Sequence, residues 1–275
     1  MPPLQSLEVA VNADRAGFGE VWMGEMATHD AFALAGAAAR ETTQTSIWVG
    51  PLALAVRDPV GLALGVTSVS ILGGRPANLA LGSSTSTVVR GWHGRDWGGN
   101  VELAEATIRK LRQILAGERT AEGFRLRSPV PGIQVGLAAF GDRMAELAGR
   151  MADRLVLNLV TPGQVAAYRQ RTEVPITVWV PAALEPGPAA REQVERELRV
   201  YLAAPAYVAI FRRAGLVEPA AIAAAVSAMG DEDEIRRRIS EYHSAGATTV
   251  GLVPVTAEDP GGARLLSRLG GGQPS

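Results

Sequence analysis

Ala16-Gly17-Phe18-Gly19-Glu20-Val21-Trp22-Met23-Gly24-Glu25 is the stretch on which the fold class turns. Ala-Gly after an apolar-periodic segment is a helix end, because glycine enters the left-handed conformation that closes a helix without a Cβ penalty. Glu20–Gly24 is then a short, nearly all-apolar run closed by glycine, which reads as a strand buried on both faces. Glu25 follows directly and places a carboxylate at that strand's carboxy end. Helix, glycine, buried strand and functional end thus follow one another in a single short segment.

The same unit recurs in both directions. Upstream, Pro3–Ala16 is a helix, with Leu4, Leu7 and Val11 on one face. Downstream, strand-like runs fall at Ser46–Gly50, Ala77–Gly82, Ile133–Leu137, Arg154–Leu159, Pro175–Val180 and Thr248–Val253, read as closed by Gly, Pro or Asn. Between them lie helical periods: Ala104, Ile108, Leu111 and Leu115; Met144, Leu147, Ala148 and Met151; Val194, Leu198, Tyr201 and Leu202. Gly117, Gly215 and Gly246 each follow an alanine at a helix end. Alternating strands and helices predict a parallel α/β fold in one domain over residues 1–275. A doubly wound sheet and a closed barrel both satisfy this alternation, and the absence of a G-x-G-x-x-G turn after any strand weakens the dinucleotide-binding version. Pro181–Pro188 reads as a Pro-rich loop that opens an all-helical insertion, about 189–245. The pattern yields seven strands.

Composition narrows the function. With 47% hydrophobic residues, 20% charged residues and a formal net charge of −1, the chain has the profile of an ordinary globular protein. Nothing in that balance points to nucleic acid or to an acidic membrane surface. There is no cysteine, which excludes disulfides, thiolate catalysis and cysteine-ligated metal. Met1-Pro2-Pro3-Leu4 carries no basic-then-apolar leader, and Pro59–Gly74, the long uncharged stretch, falls short of a membrane span. A cytoplasmic location is expected.

Six segments in order carry a family resemblance. Gly17–Glu25 resembles the first helix-to-strand junction of the luciferase-like monooxygenase superfamily, and His29-Asp30-Ala31-Phe32 resembles the motif that opens its next helix. Thr45–Pro51 is similar to its third strand, and Arg57-Asp58-Pro59 to its R-x-P helix start. The most specific match is Leu81-Gly82-Ser83-Ser84-Thr85-Ser86-Thr87-Val88-Val89-Arg90-Gly91-Trp92-His93-Gly94, which resembles a loop of the actinobacterial coenzyme F420-dependent subgroup. Phe140–Gly149 with Ala152-Asp153 resembles the phosphate-side motif that follows. The resemblance runs from about Leu4 to Pro162. It implies a (β/α)8 TIM-barrel-type fold, here without the family's first strand upstream of Leu4. Such a gap would be closed by residues further upstream, by a partner chain, or by direct pairing of the flanking strands. Two positions depart from the pattern: Arg154 stands where the family has the Gly of A-D-G, and the acid-His pair after the second strand reads Glu25-Met26.

In a parallel barrel the carboxy ends of the strands form the active face. Catalytic candidates are therefore Glu25, as an acid or an orienting group, and the loop histidines His29 and His93, which can transfer protons near neutral pH. A solvated carboxylate and backbone-bonded loop histidines are the plainer readings. For cofactor binding the resemblance implies Gly50 and Pro51, where the family often has an irregular or cis peptide; the hydroxyls of Ser83, Ser84, Thr85 and Ser86; and Ala139, Phe140 and Gly141, whose helix N-terminus suits a phosphate. The plainer readings here are a strand stop, a Ser/Thr turn that caps the next element, and an ordinary helix start with Asp142 in its first turn. Trp22, Trp48 and Trp179 read as core, His243 as a helix-end cation, and Asp231–Glu234 as the acidic start of a helix. No metal site is expected. The expected function is hydride transfer between coenzyme F420 and a small organic substrate. The alternatives are FMN-dependent oxygenation and a degenerate, non-catalytic barrel. A homodimer is compatible with each.

Overall fold

The computed structural model describes residues 1–25 and 27–270, without the side chains of Pro205 and Ala206. The Met26 half of the Glu25-Met26 pair lies outside the described residues. The chain divides into two compact units, Met1–Leu155 and Val156–Ser275.

In the first unit, helices and parallel strands alternate: α1 (Pro3–Arg15), β1 (Glu20–Met23), α2 (Ala31–Glu41), β2 (Ser46–Ala53), α3 (Pro59–Gly73), β3 (Asn78–Gly82), a π-helix (Thr87–Trp92), α4 (Asn100–Leu115), β4 (Val135–Ala138) and α5 (Asp142–Met151). The strands pair in chain order, β1 with β2, β2 with β3 and β3 with β4, all parallel. Every residue of β3 is buried, as a strand covered on both faces requires. Helix starts are written locally. Asp30 caps α2 by accepting from Ala33 N–H at 2.9 Å, and Asp58 caps α3 by accepting from Val60 and Gly61 N–H at 2.9 and 3.0 Å, with Pro59 in the first turn.

β5 (Arg154–Asn158) spans the unit boundary. The second unit continues with α6 (Pro162–Arg169), β6 (Ile176–Leu184), α7 (Pro188–Leu202), α8 (Pro205–Arg213), α9 (Pro219–Val226), β7 (Ala228–Gly230), α10 (Glu232–Ser244), β8 (Thr249–Pro254), a 3₁₀ turn (Pro260–Gly262) and α11 (Ala263–Leu269). β6 pairs with β5, with β8 from Thr177 to Ala182, and with β7 from Ala182 to Leu184. Asp231 and Glu234 form a reciprocal capping box on α10, which is the acidic helix start read from the sequence. His243 contacts Ala247 O through Nδ1 at 2.9 Å, a backbone role. Gly17, Gly117, Gly215 and Gly246 all have positive φ, between 74° and 102°.

Four expectations are corrected. The 189–245 insertion is not all-helical, because β7 interrupts it; three residues are too few to display an alternation. Pro181 does not open a loop, since β6 runs on to Leu184 with Pro181 opposite Val253; a proline removes only one ladder donor. β2 likewise runs through Gly50-Pro51 to Ala53, with a register shift between Val49 and Leu52. Tyr201, assigned to a core face, is 38% exposed. Among the described residues there are thus eight strands, the seven expected and β7. No described helix is long and apolar enough to cross a membrane.

Candidate functional site

All twelve candidate residues lie in the first unit. Because β1 to β4 are parallel, their carboxy ends share one edge, and Glu25, Pro51, Ser83 and Ala139 each fall within or just beyond the end of a strand there.

Three of these strand ends are packed together. The Gly50-Pro51 peptide is cis and Gly50 has φ of 120°. A Cβ on Gly50 would sit 2.3 Å from the carbonyl oxygen of Ala80, so no other residue fits where β2 presses on β3. At Gly82 a Cβ would meet Pro51 Cβ and Ala138 Cβ, each at 3.3 Å. The end of β3 is therefore flanked by the proline of β2 and the last residue of β4. Beyond this junction the structure opens: a Cβ on Gly24 or on Gly141 would meet no atom within 4 Å. Gly141 has φ 94° and ψ 160°, a conformation reserved for glycine, and it delivers the chain into α5. Asp142 is exposed in that helix's first turn.

The residues of the hydroxyl loop stand in two different settings. Thr85 caps the following turn, its Oγ1 accepting from Val88 N–H at 3.3 Å and its carbonyl from Val89 N–H at 2.9 Å; here the plainer reading holds. Ser84 is held at φ 55°, an uncommon conformation for a residue with a side chain, and its side chain is exposed, as is that of Ser86. The π-helix that follows was not legible in the sequence. π-Helical turns concentrate at functional sites. Trp97 fastens this loop to the strand end, with Nε1 donating to Ser83 O at 3.3 Å. His93 stands in solvent at the end of the π-helix.

A charged network sits at the end of β1. Arg57 grips Glu25 as a fork: Nε donates to Oε2 at 3.3 Å and Nη2 donates to Oε1. The same Nη2 donates to Asp30 Oδ2, and the guanidinium lies 5.2 Å from the Phe32 ring centroid. Burial pushes the Asp30 carboxyl up, but the Ala33 N–H and the Arg57 guanidinium outweigh it and hold it below the usual carboxylate range. The hydrogen bond to Glu25 is the foremost influence raising Arg57, against burial. His29 is half-buried beside this network, with Nδ1 2.8 Å from Thr28 Oγ1. Arg57 is the residue that the sequence reading passed over. Its R-x-P motif was visible as a helix start, but nothing in the spacing shows that it meets Glu25 and Asp30.

The family model of luciferase-like monooxygenases matches residues 2–249. This chain belongs to the luciferase-like monooxygenase family. Solved structures agree on the fold. An F420-dependent secondary alcohol dehydrogenase in complex with an F420-acetone adduct superposes with a TM-score of 0.80 at 16% identity, covering 98% of this chain and 94% of that one. The coenzyme F420-dependent tetrahydromethanopterin reductase of Methanopyrus kandleri gives 0.75 at 19% identity, covering 98% and 95%. The oxygenating constituent of 3,6-diketocamphane monooxygenase from Pseudomonas putida, a type II Baeyer–Villiger enzyme in complex with FMN, gives 0.70 at 16% identity, covering 97% and 90%. The fold is therefore the TIM-barrel type of the luciferase-like family, with seven strands of that barrel's set and the three-residue β7 as an addition paired to the end of β6.

Proposed function

We propose that this protein is an oxidoreductase that transfers a hydride between coenzyme F420 and a small organic substrate. The observation that carries the reading is the edge formed by the ends of β1 to β4. A close-packed floor at Gly50, Pro51 and Gly82 borders open space beside Gly24 and Gly141, with the exposed hydroxyls of Ser84 and Ser86 on the loop between. A floor of two glycines and a proline, with no long side chain, suits a flat ring system, and a glycine-led helix start suits an anionic arm. When bound, the deazaflavin would accept or donate the hydride, and the chain's share is to hold it and keep water away. Gly50, Pro51 and Gly82 would back the ring. Ser83 N–H, Ser84, Ser86 and the amides at Ala139–Gly141 would hold polar groups of the coenzyme. His29 would exchange a proton with the substrate, and Glu25 would act as an orienting group. The resemblance of Leu81–Gly94 to the F420-dependent subgroup supports F420 over FMN.

The second reading, FMN-dependent oxygenation, has the FMN-complexed neighbour in its favour. Titration with each coenzyme, followed by fluorescence and absorption, separates the two: F420 should be retained and its band should shift, while FMN binds at least tenfold more weakly. The reverse order would establish the FMN reading, and retention of neither would leave a non-catalytic barrel. Replacing both Ser84 and Ser86 by Ala should cut coenzyme affinity about ten- to a hundredfold, the worth of hydrogen bonds to a charged group, with the fold intact. Unchanged affinity would remove this loop from the site.

A further inference from the structure

We propose that Arg57 is a positioning residue of this site: it fixes Glu25 as a hydrogen-bond acceptor just beyond the end of β1, so that Glu25 receives a hydrogen bond from an N–H of the coenzyme ring. The inference rests on the coenzyme-binding reading above and assigns a role to a residue outside the family's acid-His pattern. Three observations carry it. Both oxygens of Glu25 are engaged by the one guanidinium, through Nε and Nη2, and a fork of this kind sets the plane of the carboxylate as well as its position. Arg57 is itself held from two further sides, by Asp30 and by the face of Phe32. Both Glu25 and Arg57 keep a quarter of their side-chain surface exposed, so the carboxylate is held while still open on one side. Asp30 begins α2, and Arg57 directly precedes the cap of α3. The network therefore ties the end of β1 to the starts of the next two helices, which makes the carboxylate's orientation a property of the scaffold rather than of a loop. The fork takes one lone pair on each oxygen and leaves the others to accept from a bound ligand.

The test is a double-mutant cycle read by coenzyme binding and by the absorption band of the bound coenzyme, with F420 and FMN as probes. Glu25→Gln and Arg57→Met should each weaken binding about tenfold and shift the bound band equally. The double variant should lose about tenfold rather than a hundredfold, because both changes remove one unit. Arg57→Lys keeps the charge but cannot form the fork, so it should resemble Arg57→Met; it also serves if the methionine variant fails to fold. Additive losses, wild-type binding by Arg57→Lys, or a fall in stability with binding and spectrum unchanged would overturn the role of Arg57 while leaving the coenzyme reading standing. Wild-type protein that binds neither coenzyme would overturn that reading, and this role with it.

Discussion

The two edges of the first unit's sheet are built from the same four strands and are treated in opposite ways. The amino edge is held by long-range hydrogen bonds and ion pairs. Asp14 reaches from α1 to accept from the N–H groups of Thr43, Gln44 and Thr45 at 2.8–3.0 Å and from the Thr45 hydroxyl at 3.1 Å. Arg75 donates to the carbonyls of Thr42, Thr45 and Gly73. Asn78 joins neighbouring strands, bonding Ser46 Oγ through Nδ2 and accepting from Gln134 N–H, both at 3.0 Å. Asp153 accepts from Val135 N–H at 2.7 Å and pairs with Arg112 at 2.9 Å. Arg154 meets both oxygens of Glu20 at 2.7 Å and lies 4.6 Å over Trp48, which itself stacks on Trp22 at 4.7 Å. The carboxy edge instead collects Ser84 in a left-handed conformation, a Gly-only helix entry at Gly141, a π-helix, and Trp92 at 56% exposure. In a parallel barrel, stability is invested at one end of the strands and function at the other. The division is read here from satisfied hydrogen bonds on one side and unusual backbone on the other.

The largest test of the division falls on Arg154. Arg154→Ala leaves Glu20 half-buried beside two indoles with its main counter-charge gone, and breaking such a pair costs about 3–5 kcal/mol. Chemical denaturation should show that loss in full, whereas coenzyme affinity of the protein that remains folded should stay within about twofold. An unchanged denaturation midpoint with a large loss of binding would mean that the two edges had been assigned the wrong way round.

A smaller effect is expected from acid. Burial raises the Asp14 carboxyl, but the amides of Thr45, Gln44 and Thr43 and the Thr45 hydroxyl outweigh it and lower the pKa to about 2 from 3.8. The folded value is the depressed one, so this stabilisation is complete above pH 4 and is lost as pH falls from about 4 towards 2. Its size is on the order of 2 kcal/mol. Wild-type stability should therefore drop across that window more steeply than that of Asp14→Asn, which should be less stable at neutral pH and flatter in acid. Parallel curves for the two proteins would mean that Asp14 is not the group responsible.

How far the sequence carries this picture differs between the edges for a physical reason. The strands were legible because burial on both faces writes them as short apolar runs closed by Gly, Pro or Asn. The ends of β2 and β6 were misjudged because Gly50-Pro51 and Pro181 punctuate a sequence even where the strand goes on. β7 was lost because three residues carry no period. The helix starts at Asp30 and Asp58 were legible through the family resemblance and that at Asp231–Glu234 through its acidic run, since the residues that open a helix lie within its own first turn. Glu25 with Arg57, Asp14 with the 43–45 loop, and Glu20 with Arg154 bond across long stretches of chain, and no local pattern records a contact made by tertiary packing. Arg154 was visible only as a departure from the family's glycine, and its partner was not visible at all. The hydroxyl run was legible as a loop after β3, but the arrangement of its residues depends on backbone angles that composition does not encode: Thr85 is used as a cap and Ser84 is exposed.

The smallest expected effect cuts the comparison most finely, because it should move stability and binding in opposite directions. Ser84 sits at φ 55°, where a residue with a Cβ is disfavoured by roughly 1–2 kcal/mol and glycine is not. Ser84→Gly relieves that strain. The greater freedom of glycine in the unfolded chain offsets part of the gain, so stability should rise by about 1 kcal/mol or less. At the amino edge a change from a polar residue to glycine would remove a matched hydrogen bond and could only destabilise. The same substitution deletes an exposed hydroxyl from the proposed coenzyme loop, so affinity should fall about fivefold or more even as the denaturation midpoint holds or climbs. A residue kept in a costly conformation for structural reasons would give the reverse, a loss of stability with binding untouched. That result would place Ser84 with the amino edge in kind and leave the carboxy edge without its clearest strained residue.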